Sequence, residues 1–224
     1  MKLKTLVVAS LSITALFGAN DAVKRLQDSN TVLSEIMATS DKAIPQDLLD
    51  KAQCIVIVPG SKKVAFIIGG KFGRGFLSCR KSDGVGWSAP GGVKVEGGSA
   101  GFQIGVSETD VIMLVLNKGG ADKLLSSKFT VGADASVAAG PVGRTSSAET
   151  DALLHAEILS WSRARGVFAG IALNGATLRP DDETNKDLYH KDTTNREIVA
   201  GANSPAAAAQ LLASLNKYSS RKTN

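Results

Sequence analysis

Between Gly69 and Gly143 the chain concentrates 17 of its 23 glycines among short apolar runs. Residues without a Cβ permit the bulges and close backbone approaches that other residues block, so strand-like sequence this dense in glycine predicts a sheet that bends sharply. Ahead of the block, Cys54-Ile55-Val56-Ile57-Val58 is continuously apolar and meets Pro59-Gly60, the pattern expected of a strand buried on both faces and ended by a turn. Further strands are predicted over 64–68, 75–80, 86–89, 93–95, 99–106, 110–116 and 129–139, and in the segment 153–173. One helix interrupts them, over 121–126. No helical pattern of crossover length separates the other runs, which argues for antiparallel meanders rather than βαβ units.

Helical periodicity is confined to the ends of the chain. Ala22, Val23, Leu26, Leu33, Ile36 and Met37 recur near helical spacing, a second short helix is expected over 45–52, and an alanine-rich one over 205–215. The predicted fold class is therefore α+β: a glycine-rich, strongly curved, mainly antiparallel sheet, barrel- or sandwich-like, with N-terminal and C-terminal helices. From Pro180 the chain turns polar, and 217–224 reads as a disordered tail.

The first residues carry a targeting pattern. Lys2 and Lys4 precede an apolar stretch from Leu6 to Phe17 and a small-residue stretch ending at Ala19, the order of a cleaved secretory signal. This predicts a leader over 1–19, a single domain over 20–216, and an exported protein, periplasmic or secreted. Leu16-Phe17-Gly18-Ala19 has the spacing of a lipoprotein box but lacks its cysteine. Without Lys2 and Lys4 the formal charge falls from +5 to +3. The two cysteines, Cys54 and Cys79, each sit in or beside a strand-like run. In an oxidising compartment they either pair or remain two buried thiols, and spacing alone leaves both open.

Several strings together carry a family likeness: Val64 to Gly75, Gly86-Trp87-Ser88-Ala89-Pro90, Gly101 to Val106 with Thr109-Asp110, Gly132 to Arg144, Ser160 to Gly170, and Asn185 to Tyr189. In order and spacing they resemble the SYLF-domain family over nearly the whole chain after the leader, here as an exported bacterial member. Trp161 stands where that family usually has tyrosine, and His190 where glycine commonly follows. The resemblance implies non-catalytic binding of phosphoinositide-type membranes, partly through an N-terminal amphipathic helix, and in some members binding of actin filaments.

The charge pattern bears on the same question. Lys62, Lys63, Lys71, Arg74, Arg80 and Lys81 fall in a segment with no acid from Ala52 through Ser82. A field of that sign draws anionic headgroups, each basic residue near the surface contributing about 1 kcal/mol. Lys62 and Lys63, expected in a turn after Pro59-Gly60, and Arg74 between two glycines are the foremost candidates, against the alternative of solvated strand ends that discourage edge pairing. Lys24, Arg25 and Leu26 give the first helix a basic amphipathic start suited to membrane contact, although ordinary packing on the sheet explains them as well.

Catalytic patterns are missing from the sequence. Gly69 to Gly75 lacks the Gly-Lys-Ser/Thr and the following helix of a phosphate-binding loop, and no nucleophile elbow is present. Asp151, His155 and Glu157, with His190 elsewhere, make too thin a set for a metal site, and no cofactor is expected. Asp134, among small and apolar neighbours, predicts an internal ion pair with Arg144 or Arg163. Nucleic acid is a poor partner for a modest net charge and a chain with 5% aromatic residues. The expected function is binding of an anionic phospholipid or membrane surface; the alternative is a protein-interaction module, of actin-filament or envelope-protein type, without a lipid ligand.

Overall fold

The computed structural model describes residues 9–39, 43–65, 68–100, 105–142, 155–164, 167–171, 173–219 and 221, with the backbone alone for 9–20, 63–65, 68–71, 98–100 and 105–107. Four long strands dominate: β1 (Cys54–Ala65), β2 (Ile68–Cys79), β3 (Gly91–Ala100) and β4 (Gly105–Val115). Short strands follow: β5 (Phe129–Thr130), β6 (Val137–Ala139), β7 (Ile158–Ala164), β8 (Val167–Gly170) and β9 (Thr177–Pro180). They form one sheet in the order β5-β9-β3-β2-β1-β4-β7-β6, with β8 also paired to β7. Every pairing is antiparallel except that of β6 with β7.

Chain connectivity forces the curl expected from the glycines. Laid flat, the eight strands of that path would hold β5 about 34 Å from β6 at about 4.8 Å per strand. Yet only residues 131–136 join Thr130 to Val137, a stretch that spans at most about 25 Å even fully extended. It is not extended, because Asp134 N–H donates to the Thr130 carbonyl at 2.8 Å and Gly132 N–H to that of Ala135 at 2.8 Å. The two edges are drawn together, and the sheet closes partway toward a barrel.

Two apolar clusters result, one on each face. Inside the curl lie Cys54, Val56, Val58, Leu77, Val93, Val95, Met113, Phe129 and Leu178. On the other face Ile55, Ile57, Phe76, Ile112, Leu114 and Trp161 pack against helices. The continuous apolar run of β1 thus serves both faces by alternation. Helix α1 (Ala9–Ala38) lays Ala22, Leu26, Ser29, Leu33 and Ile36 along one stripe, all buried. Leu26 is 1% exposed, so truncation to Ala would cost about 2–5 kcal/mol. α2 (Gln46–Lys51) adds Leu48 and Leu49 to the same cluster.

Pro59-Gly60 does not end a strand. β1 runs through it with a bulge, the register shifting between Ile57 and Lys62 against β2 and between Val58 and Ser61 against β4. Proline cannot donate to a ladder and Gly60 takes φ +57°, so the pair breaks the pleat locally while ladders on both sides keep the strand going. The Gly60 N–H is met by Asp110 Oδ1 at 2.9 Å. Across the bulge, a Cβ on Gly75 would lie 2.1 Å from the Ile57 carbonyl oxygen, a close approach that only glycine allows.

Other boundaries also move. The strand expected over 86–89 reduces to a bridge between Arg80 and Trp87, and the one expected over 129–139 divides into β5 and β6 around a turn. Helix α3 is Lys118–Leu124, set earlier than expected because Asn117 caps it by accepting from Gly120 N–H at 2.7 Å. The polar stretch after Pro180 holds two helices, α4 (Asp182–Tyr189) capped by Asp181 and α5 (Asn195–Gly201) with a Thr194–Glu197 capping box. His190 closes α4 at φ +56°, the left-handed position that a glycine would occupy without strain. A 3₁₀ turn (Ala206–Ala208) leads into α6 (Ala209–Tyr218).

The expected loose tail is corrected as far as Arg221. Arg80 is buried, stacks 3.9 Å over the Trp87 ring, and donates to the carbonyls of Leu49 (2.9 Å), Ala52 (3.1 Å) and Ser219 (2.7 Å). Arg221 donates to the carbonyls of Asp50, Lys51 and Ala52 at 2.5, 2.9 and 2.9 Å. Two arginines therefore satisfy the carbonyls at the C-terminal end of α2, which a six-residue helix otherwise leaves open. Cys54 and Cys79, directly opposed on β1 and β2, are joined as a disulfide.

Candidate functional site

Antiparallel register brings Arg74 of β2 opposite Lys94 of β3, and Lys94 opposite Arg179 of β9. Like charges facing one another across a ladder are destabilising, so such a row needs anions. Asp181 supplies one: its carboxylate, with no exposure, lies 3.5 Å from Arg74 Nε and 3.3 Å from Lys94 Nζ. It is held there as the α4 cap, accepting from Thr184 Oγ1 at 2.8 Å and Thr184 N–H at 3.4 Å. Glu183, in the first turn of α4, places Oε2 3.0 Å from Arg74 Nη2 and 3.5 Å from Lys94 Nζ, on a side chain 70% exposed. Arg179 is met by Glu96 at 3.5 Å.

Helix α1 brings a further cation. Arg25 is half-buried and donates to Thr184 Oγ1 at 3.2 Å; burial lowers its pKa, with Asp181 opposing that shift and Arg74 adding to it. Lys62, carried past the β1 bulge, is exposed and opposite Phe72 in register. These elements enclose an open depression of about 630 Å³ lined by four cations, Arg25, Lys62, Arg74 and Lys94, and one acid, Glu96, together with Phe72 and the Pro59-Gly60 bulge. Phe72 is 59% exposed, a large apolar side chain standing in water beside four cations. The arrangement can take a multiply charged oxyanion and offer an apolar contact next to it.

A second depression, of about 470 Å³, shares Arg25, Pro59 and Gly60 but is lined by Asp21, Asp28, Glu108 and Asp110 as well as Lys24 and Arg163. Burial raises the Asp110 carboxyl above its ordinary value, opposed by the Gly60 N–H. Arg163 donates to Asp110 Oδ2 at 2.8 Å and pairs with Glu35 of α1. The lining is thus more acidic on this side of Gly60 than on the β2–β3 side, where Glu96 is the one lining acid among the described residues.

Of the basic residues expected to meet headgroups, Lys62 and Arg74 line the pocket, though Lys62 sits on a strand rather than in a turn. The side chains of Lys63 and Lys71 lie outside the described residues, while their backbones oppose one another on β1 and β2. Arg80 is corrected to a buried structural residue, since all its donors are directed at backbone and Ser219. Lys81 is exposed beside the disulfide, in a separate depression with Lys118 and Arg221. Lys24 pairs with Asp28 at 2.7 Å on the exposed side of α1, Arg25 is half-buried against Thr184, and Leu26 is in the core, so the three residues expected to contact a membrane do not share one face.

Of the two partners expected for Asp134, Arg163 is corrected and Arg144 lies outside the described residues. Asp134 is exposed, its carboxylate accepts from Thr130 N–H at 2.5 Å inside the turn between β5 and β6, and Arg163 is taken by Asp110 and Glu35. Asp151 also lies outside the described residues. Lys94, Phe72 and the acids Asp181 and Glu183 were not singled out by sequence; the local signals among them are the alternation of Lys94 between Val93 and Val95 and the capping position of Asp181 ahead of Thr184. Among the described residues no three His, Cys, Asp or Glu side chains group to hold a metal, and no single helix is long and apolar enough to cross a membrane.

Residues 96–218 match the family model described as "Ysc84: Las17-binding protein actin regulator". LAS seventeen-binding protein 3 of Saccharomyces cerevisiae is 32% identical over 173 residues, covering 75% of this chain and 37% of the relative. An SH3 domain-containing protein of Schizosaccharomyces pombe is 34% identical over 181 residues, covering 79% and 42%. SH3 domain-containing YSC84-like protein 1 of Homo sapiens is 30% identical over 209 residues, covering 92% and 60%. The chain spans less than two thirds of the length of each of these relatives.

Proposed function

Because the chain belongs to the Ysc84 (SYLF) family, we propose that it is a non-catalytic binding module whose ligand is an anionic phospholipid surface, phosphoinositide-like or otherwise acidic, met by an exported protein. The observation that carries this reading is the in-register pair Arg74 and Lys94, joined by Arg25 and Lys62 around one pocket beside exposed Phe72. Guanidinium and ammonium groups suit phosphate oxygens, and an exposed aromatic side chain lining the pocket suits the zone between headgroup and acyl chain. Four cations at about 1 kcal/mol each give reversible, salt-sensitive attachment rather than permanent anchoring.

Export is supported by the Lys2, Lys4 and apolar leader pattern and by the Cys54–Cys79 disulfide, a bond that persists in oxidising compartments. Cleavage near Ala19 would leave α1 intact from Asn20 onward, and an intact mass starting at Asn20 after expression in a secreting bacterial host tests it.

The second reading is a protein-interaction module, favoured by the names of the relatives, one of which is a LAS seventeen-binding protein. The same basic face would then meet an acidic protein surface. Co-sedimentation with phosphatidylcholine vesicles of graded phosphatidylserine content, at low and high salt, separates the two. Lipid binding predicts attachment that rises with anionic content and weakens with salt; attachment indifferent to headgroup charge, or none, turns the reading to a protein partner.

A further inference from the structure

The two carboxylates on the Arg74–Lys94 pair differ in how they are held. Asp181 is wholly buried and pinned by Thr184, so it is a fixed part of the fold. Glu183 touches both cations through one oxygen, Oε2, from a side chain 70% exposed. Among the described residues only the two cations hold it, and its rotation into water would cost little. It therefore occupies, in the free protein, the position that an incoming oxyanion would need.

We infer that Arg74 and Lys94 form an oxyanion-exchange site for which Glu183 is the resident internal occupant, displaced by a phosphate group when the ligand binds. The inference rests on the anion-binding reading above and deepens it. With Glu183 in place, Arg74 and Lys94 face two carboxylates; with it swung away they face Asp181 alone, while Glu96, which also lines the pocket, is met by Arg179. The exchange makes the pocket selective. A ligand must offer more negative charge, or more acceptor oxygens, than one carboxylate before it replaces Glu183, so monoanionic solutes such as chloride or acetate compete poorly and phosphates compete well. The same chemistry serves a lipid headgroup or a free phosphate, and experiment distinguishes the sources.

The test compares the full chain with Glu183→Gln and with Asp182→Asn, an exposed neighbour whose change alters the net charge equally. Each protein is titrated with inorganic pyrophosphate, followed by NMR or calorimetry, and with phosphatidylcholine vesicles containing phosphatidic acid; unchanged melting temperatures confirm that the fold is kept. Loss of one competing charge at the site predicts about fivefold tighter binding for Glu183→Gln, with Asp182→Asn within about twofold of the parent. Tighter pyrophosphate binding without any vesicle binding supports the exchange site and sinks the membrane reading. Equal vesicle binding by all three proteins, or an equal gain from Asp182→Asn, overturns the exchange site and leaves the membrane reading standing. If no protein binds either probe, both fall.

Discussion

The Nζ of Lys94 lies 3.3 Å from Oδ1 of Asp181, whose carboxylate has no exposure to solvent. That contact joins the start of α4 to the sheet and lets Arg74 and Lys94 stand opposite each other. Asp181→Asn keeps the cap geometry but leaves Arg74 and Lys94 facing each other with the exposed Glu183 alone between them. A loss of about 1–2 kcal/mol in denaturant unfolding is expected, because Asp181 is buried while Arg74 and Lys94 remain partly exposed and keep Glu183. A loss below 1 kcal/mol would show that Glu183 alone suffices to balance the row.

Arg80 separates structural from ligand-facing cations. Arg80→Met should destabilise the chain by about 2 kcal/mol or more, since it removes the hydrogen bonds to Leu49, Ala52 and Ser219 and the stacking on Trp87, leaving the Ala52 N–H, Arg221 and Trp87 Nε1 as the remaining donors to those three carbonyls. Amide exchange at the C-terminal end of α6 should accelerate. Where the variant remains folded, vesicle binding should match the parent; a specific loss of binding would return Arg80 to the headgroup site.

Cys54 and Cys79 are 25 residues apart and pin β1 to β2 at the end away from the pocket. Closing a loop of that length removes about 3 kcal/mol of unfolded-state entropy on the chain-entropy account. Reduction should lower the denaturant midpoint accordingly, while the folded reduced protein keeps its anion affinity. A shift in affinity on reduction would mean that the disulfide also sets the pocket geometry.

Asp110 gives a pH dependence with a defined sign. Burial raises its pKa in the folded state, so the native protein holds a proton that the unfolded chain has lost. Its contribution favours folding below the ordinary carboxyl value of 3.8 and is lost as pH rises through the raised value. Asp110→Asn removes that falling contribution, so just above the ordinary carboxyl value the variant's stability should rise more steeply with pH, or fall less steeply, than the parent's when both are unfolded by urea. A variant whose stability falls more steeply with pH there than the parent's contradicts this assignment.

Curvature was legible because it depends on composition along the chain: glycines where strands cross closely, as at Gly75, and an apolar run in β1 that serves two faces. The stripe of α1 was legible for the same reason, since Leu26, Leu33 and Ile36 declare their period locally. What could not be read depends on register. Pro59-Gly60 looks like a stop until ladders on both sides carry the strand through it. Arg74 and Arg80 look alike six residues apart, and only the third dimension gives one to a pocket and the other to the backbone of α2. The caps Asp181 and Thr194 were present as signals, but short polar helices lack the apolar period that draws attention to them.

The central claim is that the pocket by the β1 bulge, and not basic charge in general, binds anionic membrane. Vesicle co-sedimentation of Lys62→Glu beside Lys81→Glu tests it most directly, since both lysines are exposed and only Lys62 lines the pocket. The account predicts that Lys62→Glu weakens binding about tenfold or more, for the two charges changed, while Lys81→Glu binds like the parent. Equal losses from the two variants, or loss from Lys81→Glu alone, would contradict it.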